Sequence, residues 1–299
     1  MPKIPIAQVD AFTDTPLTGN PAGVVGQADG LTETQMQAIA REMAVSETAF
    51  VLRPKKPGAD LAIRWFTPAN EVPLCGHATV GAFHALAEEG KHGMRLPGSF
   101  PFRVETRSGV LPVTVEKEPR RITVRFGLPV PEFQRAGQHK LEMMHLLGVQ
   151  PEDLESHLPI VGADYLYVPI RRLHALFELR PNLPGLAQFL VNRGYGGLCV
   201  FVTETVERTS AVHSRFFAPH QGIDEDPVTG SANGPLGAYL FEQRIAEPRD
   251  GVLEVIGEQG DAIGRPGRVK IRVGVEGDHV TSVEIAGRAV TVLRGNMHI

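Results

Sequence analysis

The sequence predicts an α+β protein of two pseudo-symmetric lobes, each an antiparallel-rich sheet around one central helix. Three observations carry that prediction. The chain matches itself when residue n is set against residue n+151. Two segments, 77–89 and about 232–243, are apolar nearly all round, a pattern that belongs to an enclosed helix. Short strands divided by turn residues follow each of them. A sheet in each half that wraps its own helix accounts for all three.

In chain order, Thr32 and Gln35 make a capping box for a helix over 32–43, with Met36, Ile39, Ala40 and Met43 on one face. That helix leads into a strand over 48–52. Phe66-Thr67-Pro68 then opens a loop that ends at Pro73-Leu74-Cys75-Gly76-His77-Ala78, where the first enclosed helix starts; Gly90 ends it. Strands over 102–106, 110–116 and 122–126 follow, divided by Ser108-Gly109 and the turn at 117–121. The second half repeats this order. A helix over 184–193 leads into a strand over 198–203. The Gly194-Tyr195-Gly196-Gly197 run between them reads as a turn, because no G-K-[ST] follows it. Phe217-Ala218-Pro219 matches Phe66-Thr67-Pro68. Three residues are then inserted, and Pro227-Val228-Thr229-Gly230-Ser231-Ala232 matches 73–78 at an offset of 154. Pro235 is expected in the first turn of the second enclosed helix, where a missing N–H matters least. Strands over 253–256, 269–275, 280–285 and 289–293 close the chain.

Composition narrows the function. With 30 Lys+Arg against 34 Asp+Glu, the net charge of -4 gives no general attraction to nucleic acid or membrane. No stretch reaches the ~18 apolar residues of a transmembrane helix. The opening MPKIPIAQVDAF lacks the apolar core of a signal peptide, so a cytoplasmic location is expected. Cys75 and Cys199 cannot build a disulfide framework or a zinc site of their own. The eleven histidines show no H-E-x-x-H or similar spacing, so no metal is expected. His139, His145, His157 and His174 read as surface.

The repeat also locates the chemistry. In each half a loop meets a helix at G-[His/Ser]-A. Free N–H groups at a helix start bind anions, aided by the helix dipole. If the halves face each other, two such ends converge on one interdomain cleft, a receptor for a small carboxylate. The differences between halves are as informative as the matches. Cys75 stands opposite Thr229, so a two-thiol racemase, which needs a thiol on each side of the substrate, is disfavoured. Glu47 stands opposite Leu198, so only one half supplies a carboxylate there. Buried in a cleft, one carboxylate can serve as both base and acid.

SETAFV (46–51), PLCGHATVGA (73–82), DPVTGSANGPLG (226–237) and GNPAGVV (19–25) closely resemble the PhzF family of phenazine-biosynthesis-like isomerases, over essentially the whole chain. The resemblance implies the diaminopimelate-epimerase-like fold, with two barrel-like lobes, a site between them, a homodimer and no cofactor. It also suggests that the last strand returns to the first lobe. The expected division is 1–127 plus about 286–299, and 128–285. By resemblance Glu47 is the general acid/base. His77, Asp226 and Ser231 contact substrate or assist proton transfer, Gly76 and Gly230 lie near the substrate carboxylate, and Asn20 binds substrate. The family's reference activity isomerises trans-2,3-dihydro-3-hydroxyanthranilate. Other members do other chemistry, so only the reaction class is expected here: an isomerase for a small cyclic or amino-acid-like carboxylate. The alternatives are an epimerase or racemase using Glu47 or Cys75, and a non-catalytic binder of small acids.

Overall fold

The computed structural model describes residues 3–299, and the chain divides into two compact units: Met1–Gly127 with Glu284–Ile299 (unit 1), and Leu128–Val283 (unit 2). Unit 1 runs β1 (Lys3–Ala11), β2 (Asn20–Val25), α1 (Glu33–Met43), β3 (Glu47–Leu52), β4 (Leu61–Phe66), β5 (Glu71–Val72), α2 (Gly76–Glu88), β6 (Gly98–Thr106), β7 (Gly109–Glu118) and β8 (Arg121–Leu128). Unit 2 runs β9 (Gln134–Arg135), α3 (Lys140–Leu147), β10 (Val161–Gly162), β11 (Leu166–Pro169), α4 (Leu173–Glu178), α5 (Leu183–Arg193), β12 (Leu198–Val202), β13 (Val212–Ala218), β14 (Ile223–Asp226), α6 (Gly230–Glu242), β15 (Val252–Gln259) and β16 (Gly267–Glu276). Strand β17 (His279–Gly287) carries the chain back to unit 1, where β18 (Ala289–His298) pairs antiparallel with β1.

Each unit is a sheet folded about one helix. In unit 1, α2 lies against β1, β2, β3 and β18, and every residue from His77 to Ala87 is buried. In unit 2, α6 lies against β15 and β16 and buries most of its length. The capping box of α1 forms as expected: Thr32 accepts from the Gln35 N–H, and the Gln35 side chain accepts from the Thr32 N–H. Among the described residues no helix is long and apolar enough to cross a membrane.

The same pairing scheme occurs in both units, and it is less purely antiparallel than the strand lengths suggest. In unit 1, β2 and β3 are parallel, as are β4 and β6; β3–β4 and β4–β5 are antiparallel. In unit 2, β11–β12 and β13–β15 are parallel, and β12–β13 and β13–β14 antiparallel. A parallel pair needs a crossover connection, and the helices supply it. Helix α1 joins β2 to β3, and α2 lies between β4 and β6. In unit 2, α4 and α5 join β11 to β12, and α6 lies between β13 and β15.

Two local readings are corrected. Helix α6 begins at Gly230, two residues earlier than expected, so Pro235 lies in its second turn. It has no N–H to donate to the Ser231 carbonyl. His139 is buried rather than surface: its ring meets Phe189 and Tyr195 edge-on, and that burial lowers its pKa.

Candidate active site

In unit 1 the topology sets polar side chains at one end of the parallel β2–β3 pair. Gly19 turns the chain with φ +63°, and a Cβ there would stand 2.2 Å from the Ala11 carbonyl oxygen, so only glycine admits this entry into β2. Asn20, the first residue of β2, is fully buried. Glu47, the first residue of β3, pairs with Ala22. Gly23 leaves room for Thr48; a Cβ would stand 2.5 Å from its hydroxyl.

Helix α2 brings the other half of this cluster. Cys75 is its extended N-cap, and His77 sits in its first turn. The Cys75 carbonyl accepts from the Thr79 N–H and, at 2.6 Å, from its hydroxyl, which fixes the helix start. His77 Nε2 lies 3.2 Å from Glu47 Oε2, and His77 Nδ1 lies 3.4 Å from Cys75 Sγ. Glu47, Cys75 and His77 retain only 8%, 7% and 5% exposure. A carboxylate, an imidazole and a thiol therefore form one buried row. The histidine spacing predicted no metal-ligating set, yet these three groups hold their donor atoms within 4.8 Å of one another. The base beside Cys75 is His77, a neighbour that sequence spacing does not reveal.

Unit 2 builds the matching helix start differently. Thr229 is the extended N-cap of α6. Its hydroxyl donates a short hydrogen bond to the carboxylate of Asp226, the buried last residue of β14. Gln259, at the end of β15, holds this corner. Its carbonyl accepts from the Thr229 N–H (3.0 Å) and from Asn233 (2.9 Å), and its amide donates to the Asp226 carbonyl (2.8 Å). Gly257 makes room for Asn233, whose carbonyl oxygen would stand 2.2 Å from a Cβ there. Ser231 is not the cap. It lies in the first turn, and its hydroxyl meets that of Tyr165 at 3.0 Å.

Of the expected residues, the fold thus gathers Glu47 and His77, with Gly76 as the first residue of α2, in unit 1. It gathers Asp226, Gly230 and Ser231 around the start of α6 in unit 2. Sequence reading missed Gln259 and Tyr165, which lie 26 or more residues from their partners. It also missed an arginine in each unit. Arg64 makes a two-pronged pair with Glu71 at 2.7 and 2.6 Å, and Arg215 one with Glu225 at 2.8 and 2.6 Å. The signal for these was present, because R-x-F recurs at the offset of 151.

A family model described as phenazine biosynthesis-like protein matches residues 9–295. The chain is 38% identical to an uncharacterized isomerase of Clostridium acetobutylicum, over 99% of this chain and 98% of that one. It is 32% identical to the trans-2,3-dihydro-3-hydroxyanthranilate isomerase of Pseudomonas aeruginosa, over 97% and 98%. A crystal structure of a PhzF-family phenazine biosynthesis protein of Bacillus anthracis matches with a TM-score of 0.88 at 35% identity, covering 100% of both chains.

Proposed function

The chain belongs to the phenazine biosynthesis-like (PhzF) family and is an isomerase of that family; from that premise we propose that it moves a proton between two carbons of a small carboxylate, with Glu47 as the single carrier. The observation that carries this reading is the buried Glu47–His77 contact of 3.2 Å at the start of an enclosed helix. Glu47 as carboxylate takes a proton from a carbon beside an electron-withdrawing group. The His77 ring, with Nε2 3.2 Å from Glu47 Oε2, packs against the carboxylate and limits its orientation before and after the transfer. Glu47 then returns the proton to a different carbon, so atoms and charge are conserved and the double bond shifts.

No second carboxylate stands at the matching place in unit 2, where the residue is Leu198. That asymmetry favours one carrier over a two-base inversion. The unit 2 residues take substrate contacts in this proposal. The free N–H groups at the start of α6, with Gly230 and the Ser231 hydroxyl, suit a carboxylate. Asp226, held by Thr229, suits a polar substituent. Asn20 and Gly76 take the corresponding binding roles in unit 1. The family resemblance also supports a homodimer in the cytoplasm; a solution mass equal to the 32.5 kDa of one chain would remove the dimer.

One observation favours a second reading. Cys75 Sγ beside His77 Nδ1 is an arrangement for acid–base chemistry by a thiol, as an epimerase would use. Turnover in deuterium oxide separates the two. Deuterium in a product with a shifted double bond supports the isomerisation, and deuterium at an inverted centre supports the epimerase. A bound carboxylate that acquires none leaves only a binder. Thermal-shift screening of small carboxylates supplies the compound to test, since a ligand at 100 times its Kd adds about 2.7 kcal/mol.

A further inference from the structure

We propose that Glu47, Cys75 and His77 form a site for a thiophilic divalent cation such as Zn2+, and that the ion switches the isomerase off by taking up the groups that move the proton. The inhibition rests on Glu47 as proton carrier; the binding does not.

The donor set is the first argument. It combines one thiol, one imidazole and one carboxylate, the ligands of zinc and cobalt rather than of magnesium or calcium. Geometry is the second. Zinc bonds of ~2.0–2.1 Å to nitrogen, ~2.3 Å to sulfur and ~2.0–2.2 Å to oxygen place tetrahedral ligands about 3.3–3.6 Å apart. His77 Nε2 lies 3.2 Å from Glu47 Oε2 and 3.9 Å from Cys75 Sγ. Those two separations stand within about half an ångström of what an ion requires, and all three donor atoms lie within 4.8 Å of one another. All three side chains are carried by regular structure: the first residue of β3, and the N-cap and first turn of α2.

Charge is the third argument. A buried ion must be neutralised. A thiolate and a carboxylate cancel a 2+ charge, and neutral imidazole adds none. The helix dipole at the start of α2 opposes a cation, but two full anionic ligands outweigh the roughly half charge of that dipole. Binding converts the Cys75 thiol to a metal thiolate and releases its proton to solvent. Three protein ligands leave a fourth position for water or a ligand carboxylate. Once Glu47 is a metal ligand, the 2+ charge beside it lowers its basicity and holds it away from the substrate carbon, so it no longer takes the substrate proton.

Cobalt(II) titration of the full chain tests the site without any substrate. The wild type should take up one equivalent with a near-ultraviolet thiolate-to-cobalt charge-transfer band, release a proton, and lose the band when Zn2+ is added. Cys75→Ser should abolish the band while its circular dichroism stays native. His77→Gln should weaken binding by at least about 10–100-fold, the cost of losing even a group that only supports a ligand. A wild type without the band, or a band that survives Cys75→Ser, overturns the site. The two proposals also fail separately. Cobalt binding by the wild type, with full turnover by Glu47→Gln, would keep the site and remove the proton carrier. An inactive Glu47→Gln with no cobalt binding by the wild type would do the converse.

Discussion

The two units share their frame and differ in their chemistry. In unit 1, Arg64 pairs with Glu71 and lies over the Phe66 ring at 5.0 Å; in unit 2, Arg215 pairs with Glu225 and lies over Phe217 at 5.1 Å. Glu105 accepts the N–H groups of Lys55 and Lys56, and Glu258 those of Val206 and Glu207. Thr79 and Asn233 each bind back to the N-cap carbonyl of their helix. Against these matches stand the mismatches. The buried carboxylate beside the helix start is Glu47 at the head of β3 in unit 1, where unit 2 has Leu198. In unit 2 it is Asp226 at the tail of β14, where unit 1 has Val72. The arginines and glutamates retained in both halves tie loops to strands, and the candidate proton-transfer groups lie where the halves diverged.

That division can be broken most directly at Glu47. Glu47→Gln keeps the shape but cannot ionise, so turnover should fall by about 10²–10⁴-fold with little change in ligand affinity. Cys75→Ser should lower turnover by less than about tenfold, because unit 2 already carries an oxygen, that of Thr229, at the matching place. Kinetics on any turned-over carboxylate decide it. An active Glu47→Gln beside an inactive Cys75→Ser would move the base to the thiol.

The next effect compares the shared arginines. Arg215 is 5% exposed and also donates to the carbonyls of Leu176 and Leu179 at 2.9 and 3.1 Å. Arg215→Ala strands Glu225 and those carbonyls, and should cost about 3–5 kcal/mol in urea unfolding. Arg64 is more exposed, and Glu71 keeps a second partner in Arg107 at 2.7 Å. Arg64→Ala should therefore cost about 1 kcal/mol. Equal costs would show that burial does not separate the two clasps.

The glutamate clasps should differ in the same sense, by less. Glu258 is fully buried with His213 Nδ1 at 2.8 Å, while Glu105 is partly exposed. Glu258→Gln should cost about 1.5–3 kcal/mol, the range for hydrogen bonds to a charged group, and Glu105→Gln less than about 1 kcal/mol. A calorimetric scan in which Glu105→Gln melts first would reverse the ranking.

Acid gives the smallest and most graded test. Burial pushes the Glu258 carboxyl up, but the hydrogen bonds from His213, Val206 and Glu207 outweigh it and hold it at about 2. In unit 1, burial of Glu88 is likewise outweighed by His84 and Thr291, with Arg294 adding to them, and that carboxyl also lies at about 2. A depressed carboxylate contributes stability above its unfolded value near 4.5 and loses it as pH falls toward the folded one. Both units should therefore weaken between about pH 4.5 and 2. Glu258→Gln should flatten part of that loss; an unchanged slope would count against the clasp as its source.

Much of this was legible from residues alone. Thr32 and Gln35 announced α1, and the all-apolar faces of 77–89 and 232–243 announced the enclosed helices, because capping and helical periodicity are properties of neighbouring residues. The start of α6 was missed because Gly230 and Ser231 read as a loop until the fold encloses them. The Cys75–His77 contact was missed for a related reason. Residues two apart in a helix do not face each other. Cys75, however, is an extended N-cap with φ -141° and ψ 117°, which turns its thiol back toward the ring.

The sequence by itself determined the duplication, the helices over 32–43, 77–89, 184–193 and about 232–243, and the motifs that contain Glu47, His77, Asp226 and Ser231. Tertiary structure alone decided which of them meet. Glu47 reaches His77 because the parallel β2–β3 register sets Glu47 opposite Ala22 and α2 lies across the same strands. Periodicity fixes which face of a strand is buried, since a slip of one residue inverts that face. It does not name the partner strand or the direction of pairing. Those follow from burying the whole apolar surface of α2 at once, a sum over contacts far apart in the chain.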